Sequence, residues 1–317
     1  MSSFEADPEV GPELPVTMEL LEGAPVALGG PRGFAVTRTL PNRQRRMVGA
    51  WCFLDAYGPH ELDGSAGMRV GPHPHTGLQT VTWLVAGEVL HRDSLGNRQE
   101  IRPGQLNLMT AGRGISHAEE TPREHSAVLH GVQLWVALPH ADRDMPAAFA
   151  HHADLPAVAF GEITATVLMG TLGEATSPAR THTPLVGAEL TLAAGASAAL
   201  PVRPDFEYAA LALDGAATVD EATLKPGPLL YLGAGRSSLR LATESPSKVL
   251  LLGGEPFTER LVMWWNFVAR EHDEIVQMRA DWESRTPRFG EVHGYDGPAL
   301  PAPPMPLTRL VPRGRVR

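Results

Sequence analysis

Residues 84–113 read LVAGEVLHRDSLGNRQEIRPGQLNLMTAGR, and residues 212–236 read ALDGAATVDEATLKPGPLLYLGAGR. The second stretch is a shortened copy of the first. Gly87 corresponds to Gly215, Pro103-Gly104 to Pro226-Gly227, and Ala111-Gly112-Arg113 to Ala234-Gly235-Arg236, with the last two landmarks eight positions apart in both copies. Between the first two landmarks the second copy is five residues shorter. In each copy short apolar runs alternate with Gly, Pro and Asn, the pattern of β-strands joined by tight turns. A block repeated in this way predicts one β-architecture used twice, a duplicated antiparallel β-barrel.

The same texture extends on both sides. FAVTRTL (34–40), MVGAWCFLDA (47–56), LQTVTWLVAG (78–87), EVLHRDS (88–94), QLNLMTA (105–111) and VLHGVQLWVALP (128–139) have the length and spacing of strands in an antiparallel sandwich or barrel. Gly96-Asn97 marks a hairpin turn between two of them. The apolar rhythm stops near residues 139–155, which divides the chain into an N-terminal unit, 1–145, and a C-terminal unit, 146–317. A length of 317 residues is itself long for one core. In the second unit Tyr208, Leu211, Leu213, Leu230 and Leu232 are expected to fill the barrel. Ile275, Met278 and Trp282 stand at i, i+3 and i+7, predicting a helix over 270–284 that covers it. Five prolines between Pro298 and Pro306 rule out a continuing helix or a central strand, so this segment is expected to run extended over the surface.

Composition narrows the functional classes. Lys plus Arg number 27 against 36 Asp plus Glu, a net charge of −9, so there is no basic stripe to displace counterions from nucleic acid. Arg309, Arg313, Arg315 and Arg317 cluster at the end and are expected to form a solvated tail; LVPRG at 310–314 resembles a protease-cleavage linker and is given no functional weight. The opening residues lack the basic and apolar regions of a signal peptide, and no apolar run reaches membrane-spanning length, so a cytoplasmic protein with no membrane partner is expected. Cys52 is the only cysteine, which excludes an intrachain disulfide or a thiolate metal cluster.

Residues two apart on a strand project to one face. His73 and His75 can therefore point together into a barrel, as can His117 and Glu119, and two such pairs on facing strands make a four-ligand pocket. Three neutral imidazoles and a carboxylate suit a borderline divalent metal such as iron, and leave about two positions of an octahedron for water, dioxygen or a chelating substrate. In the second copy, Pro201 and Arg203 fall where His73 and His75 sit, and Arg240 and Ala242 opposite His117 and Glu119; there is no histidine from Thr183 to Glu271. One metal per chain, in the first barrel, is the expectation.

RRMVGAWCFLDAYGP (45–59), HPHTGLQTVTWLVAGEVLHRDSLG (73–96), RPGQLNLMTAGRGISHAEETP (102–122) and LHGVQLWVALP (129–139) together resemble the N-terminal signature of the pirin family. FTERLVMWWNFVAREHDEIVQMRADWE (257–283), RFGEVHGY (288–295) and LPAPPMP (300–306) carry the resemblance to the C-terminus. It implies an all-β bicupin with a C-terminal helix, one Fe(II) in the N-terminal barrel, and His73, His75, His117 and Glu119 as ligands, other divalent metals being possible. The wider cupin pattern places a glutamate ligand where this chain has Gln79, which is read instead as hydrogen-bonding to the ligands from behind. His91, as a residue lining the pocket entrance, and Asp55, as one orienting a ligand histidine, are further candidates behind the ligands, each with a purely structural role as the alternative. Arg113 is read as a surface turn residue, with an anion-binding role as the alternative.

Two functions follow from the resemblance. One is a quercetin 2,3-dioxygenase-type activity on a flavonol and dioxygen, with Glu119 as ligand and proton acceptor. The other is an iron-dependent redox sensor that binds a transcription factor or metabolic enzyme. An open apolar pocket over the metal would favour the first.

Overall fold

The computed structural model describes residues 18–28, 34–62, 64–65 and 67–316. The acidic N-terminus, residues 1–17, and Arg317 lie outside the described residues. The chain is mostly β with one helix, His272–Glu283, and its strands pair antiparallel throughout the sheets.

Each half is a large sheet facing a four-stranded one. In the first half the large sheet runs Ala148–His152, Leu106–Thr110, Leu78–Ala86, Val128–Ala137, Trp51–Glu61, Phe34–Leu40 and Ala24–Leu28. The small sheet runs Arg69–His75, Ile115–Glu120, Val89–Asp93 and Arg98–Ile101. The second half repeats the order: Leu229–Gly233, Glu207–Asp214, Ser247–Gly254, Leu185–Leu192 and Ile163–Leu172 in the large sheet, and Ser197–Pro201, Ser238–Ala242, Ala217–Val219 and Ala222–Leu224 in the small one. The expected duplication is thus present strand for strand. Gly87 and Gly215, both at positive φ, make the corresponding turns.

The halves exchange edges across the division expected at residue 145. Glu19–Leu21 pairs with Leu229–Gly233 of the second half, while Ala148–His152 pairs with Leu106–Thr110 of the first. The two large sheets also share a core, in which Trp51, Trp83 and Leu134 meet Leu211, Leu250 and Leu252.

Three expectations need correction. Tyr208, Leu230 and Leu232 do fill the second barrel, but Leu211 and Leu213 belong to the core between the halves. Side chains alternate along Glu207–Asp214, so odd and even positions cannot share a face. The helix does not cover the second barrel. Ile275 and Met278 pack on the hairpin Val262–Trp264/Phe267–Ala269, whose Val268 N–H donates to Thr76 O (3.1 Å) beside the ligand strand of the first half.

The proline-rich segment does run extended over the surface, as expected, and is anchored there. Leu300 N–H donates to Pro72 O (2.8 Å), and Trp282 Nε1–H to Leu300 O (2.8 Å). The arginine tail, by contrast, is not merely solvated. Arg309 pairs with Asp273 (2.8 Å), Arg313 exchanges two backbone hydrogen bonds with Leu261, and Arg315 pairs with Glu207, which is fully buried. A buried carboxylate needs such a partner, whereas the sequence shows only the cations.

Candidate metal centre

The strand Arg69–His75 lies at the edge of the small sheet, where Pro72 and Pro74 are tolerated because their missing N–H groups break no ladder. His73 sits directly across from His117, and His75 across from Ile115. An irregularity in register separates His117 from Glu119 on that side, while on the other side His117 faces Asp93 and Glu119 faces His91. Gly77 ends the ligand strand at φ +69°, and a Cβ there would meet Val268 O at 2.2 Å, so only glycine lets the hairpin approach.

The ligand atoms of His73, His75 and His117 lie within 4.8 Å of one another, with ring centroids 4.4–5.0 Å apart. Those of His117, Glu119 and His91 form a second group within the same limit, so His117 joins the two. All five side chains are buried. Burial pushes the His73 imidazole down to about 4, against a smaller upward effect of the Gly71 carbonyl. It also holds His75 and His117 well below the usual histidine range, with neighbouring imidazoles adding to the effect. The same burial raises the Glu119 carboxyl, opposed by His91 and by the Thr82 hydroxyl. The three imidazoles are therefore neutral at pH 7, the form in which they bind metal.

These residues fit a metal ion. His73 Nδ1 is engaged with Gly71 O (2.8 Å), which leaves Nε2 for coordination. His117 Nε2 and His75 Nδ1 are buried without a hydrogen-bond partner among the described residues. Glu119 Oε1 accepts from Thr82 Oγ1 (3.4 Å), and among the described residues its other oxygen has no such bond. Bare acceptors in a protein interior are costly, and a cation satisfies all of them at once. The donor set of three nitrogens and one carboxylate oxygen suits a divalent transition metal.

His73, His75, His117 and Glu119 form the floor of a cavity of about 600 Å³. Its walls include Phe53, Trp135, Trp264 and Trp265, with Leu300 and Pro301 from the proline-rich segment. Phe53 and Trp135 stack at 3.9 Å, and Trp135 meets His75 edge-on at 5.1 Å. Trp265 holds φ +52°, a strained setting for a bulky residue, at the tip of the hairpin overhanging the site.

The remaining candidates are placed differently. Gln79 Nε2 donates to Thr110 Oγ1 (3.0 Å) and to Arg180 O (3.2 Å), away from the ligands. Asp55 lines the cavity but forms a two-point ion pair with Arg38, at 2.7 Å for both contacts. His91 does approach a ligand, its Nδ1 lying 3.4 Å from His117 Nδ1. Arg113 is exposed, and its carbonyl accepts from Arg288 (2.9 Å). Burial raises the Cys52 thiol to about 12, so it is unreactive.

Sequence reasoning missed Asp93, which bonds to His91, and Arg38, which holds Asp55. His91 and Asp93 stand two apart on one strand, the same spacing as in the two candidate ligand pairs, but Asp93 was given no role there. Nothing local in MWWNFV predicts that Trp264 and Trp265 wall the site, since that depends on contacts about 190 positions apart.

Residues 33–136 match the pirin family model and residues 187–290 that of the pirin C-terminal cupin domain. A Pseudomonas aeruginosa protein, provisionally named a quercetin 2,3-dioxygenase, is 49% identical over 280 residues, 88% of each chain. A pirin-like protein of Caulobacter vibrioides is 40% identical over 260 residues, 79% of this chain and 88% of that one. The crystal structure of a quercetin 2,3-dioxygenase from Acinetobacter baumannii superposes with a TM-score of 0.88 at 43% identity, covering 92% of this chain and 96% of that one.

Proposed function

The chain belongs to the pirin family, and from that premise we propose that it is an iron-dependent dioxygenase opening the ring of quercetin-type flavonols. One Fe(II) is held by His73, His75, His117 and Glu119. The observation that carries the reading is the placing of these four side chains on the floor of an aromatic cavity of about 600 Å³, within the range of small-molecule sites.

When bound, the metal supplies Lewis acidity and a redox-active centre for a flavonol oxygen and dioxygen. The chain's own residues do the rest. Phe53, Trp135, Trp264 and Trp265 offer flat faces that orient a planar polycyclic substrate and keep bulk water from it. The Glu119 carboxylate takes the proton of the flavonol hydroxyl. A redox sensor needs no such cavity, and its open aromatic walls favour catalysis over the regulatory reading.

The test is an aerobic assay of iron-loaded protein with quercetin, following oxygen uptake and carbon monoxide release together. Oxygen-dependent ring opening is expected. A full complement of iron with no turnover of any flavonol would transfer the assignment to the regulator.

A further inference from the structure

We propose that Asp93 and His91 form a hydrogen-bonded chain that fixes the tautomer of His117, holding its proton on Nδ1 and leaving the Nε2 lone pair for the metal. The inference rests on the metal-site reading above.

The chain can be followed atom by atom. Asp93 Oδ1 accepts from the backbone N–H groups of Leu95 (2.9 Å) and Asn97 (3.1 Å), and Asn97 Nδ2 donates to both carboxylate oxygens (3.0 and 2.9 Å). The carboxylate is thereby fixed with Oδ2 3.0 Å from His91 Nε2. A carboxylate only accepts, so His91 carries its proton on Nε2 and presents a lone pair at Nδ1. That lone pair faces His117 Nδ1 at 3.4 Å. Two lone pairs repel, whereas a proton on His117 Nδ1 makes the contact a hydrogen bond. His117 Nε2, buried and without another partner, then carries no proton and can coordinate.

Two features keep the relay in register. Asp93 faces His117 across the strand pair, and His91 faces Glu119. The His91 ring is also stacked on Phe149 at 4.5 Å and 17°, and Phe149 lies on the edge strand that crosses the division between the halves. His73 has its tautomer set more simply, by the Gly71 carbonyl. His91 is thus a positioning residue acting through His117.

Asp93→Asn inverts the logic at almost constant shape. The two backbone donors and Asn97 Nδ2 hold the remaining carbonyl oxygen at the Oδ1 position, the Asn97 bond to Oδ2 being given up, so the new NH2 group points at His91 Nε2 and moves the His91 proton to Nδ1. His117 must then accept at Nδ1 and place its own proton on Nε2, where metal binds.

The experiment measures Zn(II) affinity by chelator competition, together with two-bond 1H–15N spectra of histidine-labelled protein before and after Zn(II) loading. The wild type should show His117 protonated on Nδ1 and His91 on Nε2 in both states. Asp93→Asn should weaken Zn(II) binding by about 10–100-fold. His91→Phe keeps the ring stack but breaks the relay, so adding Asp93→Asn to it should cost nothing further. His117 protonated on Nε2 in the Zn(II)-free wild type would overturn the proposal, as would an Asp93→Asn loss of equal size with and without His91. If His73→Ala left Zn(II) affinity unchanged, the metal site itself would be misassigned.

Discussion

The two small sheets share their strand order but not their chemistry. His117 lies across from His73 in the first, and Leu239 across from Leu200 in the second. Glu119 lies across from His91, and Leu241 across from Val219. The positions holding three candidate ligands and His91 in one half hold buried aliphatic side chains in the other. A barrel interior can be closed with hydrocarbon, which stabilises by exclusion from water, or lined with lone pairs that cost energy until a cation arrives. The first copy is built to bind and the second to hold.

The strongest way to break this comparison is to make the first half like the second. His117→Leu should reduce iron from roughly one per chain to near zero by elemental analysis, because neighbouring water replaces a lost ligand poorly. Retention of wild-type iron would show that the ligand set is wrong. Glu119→Gln separates charge from coordination: an amide oxygen can still reach the metal but cannot take a proton. Turnover of quercetin should fall by about 10²–10⁴-fold while much of the iron remains. Equal losses of metal and rate would reduce Glu119 to a ligand.

The reverse exchange reads stability. Leu241→Glu places an unpaired carboxyl in a closed apolar core and should cost about 3–5 kcal/mol in denaturant unfolding. At the matching position, Glu119→Leu should leave the metal-free protein as stable as the wild type or more so. Equal destabilisation by both changes would erase the distinction between the interiors.

The histidines also make the halves respond differently to acid. His73, with a folded value near 4 against 6.5 unfolded, takes up a proton more readily when unfolded. Its contribution to stability is complete above pH 6.5 and is lost as pH falls toward 4, a change of about 3 kcal/mol. His75 and His117 act in the same direction. Glu119 acts in the opposite one, its raised carboxyl weakening the fold as pH rises through the carboxylate range. Chelator-treated protein should therefore lose thermal stability between pH 6.5 and 4, and a variant with Phe at all three histidines should lose much less. Parallel pH profiles would place the acid sensitivity elsewhere. The smallest effect concerns the seam between the halves. Arg315→Ala should cost about 1–2 kcal/mol in denaturant unfolding, because Glu207 keeps its bonds from Gly49 N–H and the Tyr231 hydroxyl. No change would mean that the tail pair is solvated in practice.

The duplication was legible because glycine and proline mark turns that both copies need. The clustering of the candidate ligands was legible because a spacing of two is the period of a strand. Register was less so. Matching the copies on their turns set Arg240 opposite His117, but Arg240 points outward and Leu239 inward. A slip of one residue reverses every face, and no turn landmark has that resolution. The helix was found and its partner mistaken, because Ile275 and Met278 record that a face is buried but not against what. The tail was misjudged because its acidic partner is over a hundred positions away.

The exchanged edges and the overhanging hairpin set an order of events during synthesis. The four ligands have all been translated by residue 119, yet the cavity above them needs Trp264, Trp265, Leu300 and Pro301. Until those residues emerge from the ribosome, the nascent first half has an open floor of candidate ligands. On the proposed function, selective metal loading waits for that wall, and a ribosome stalled in the second half would display a chelating surface with nothing over it to select what it holds.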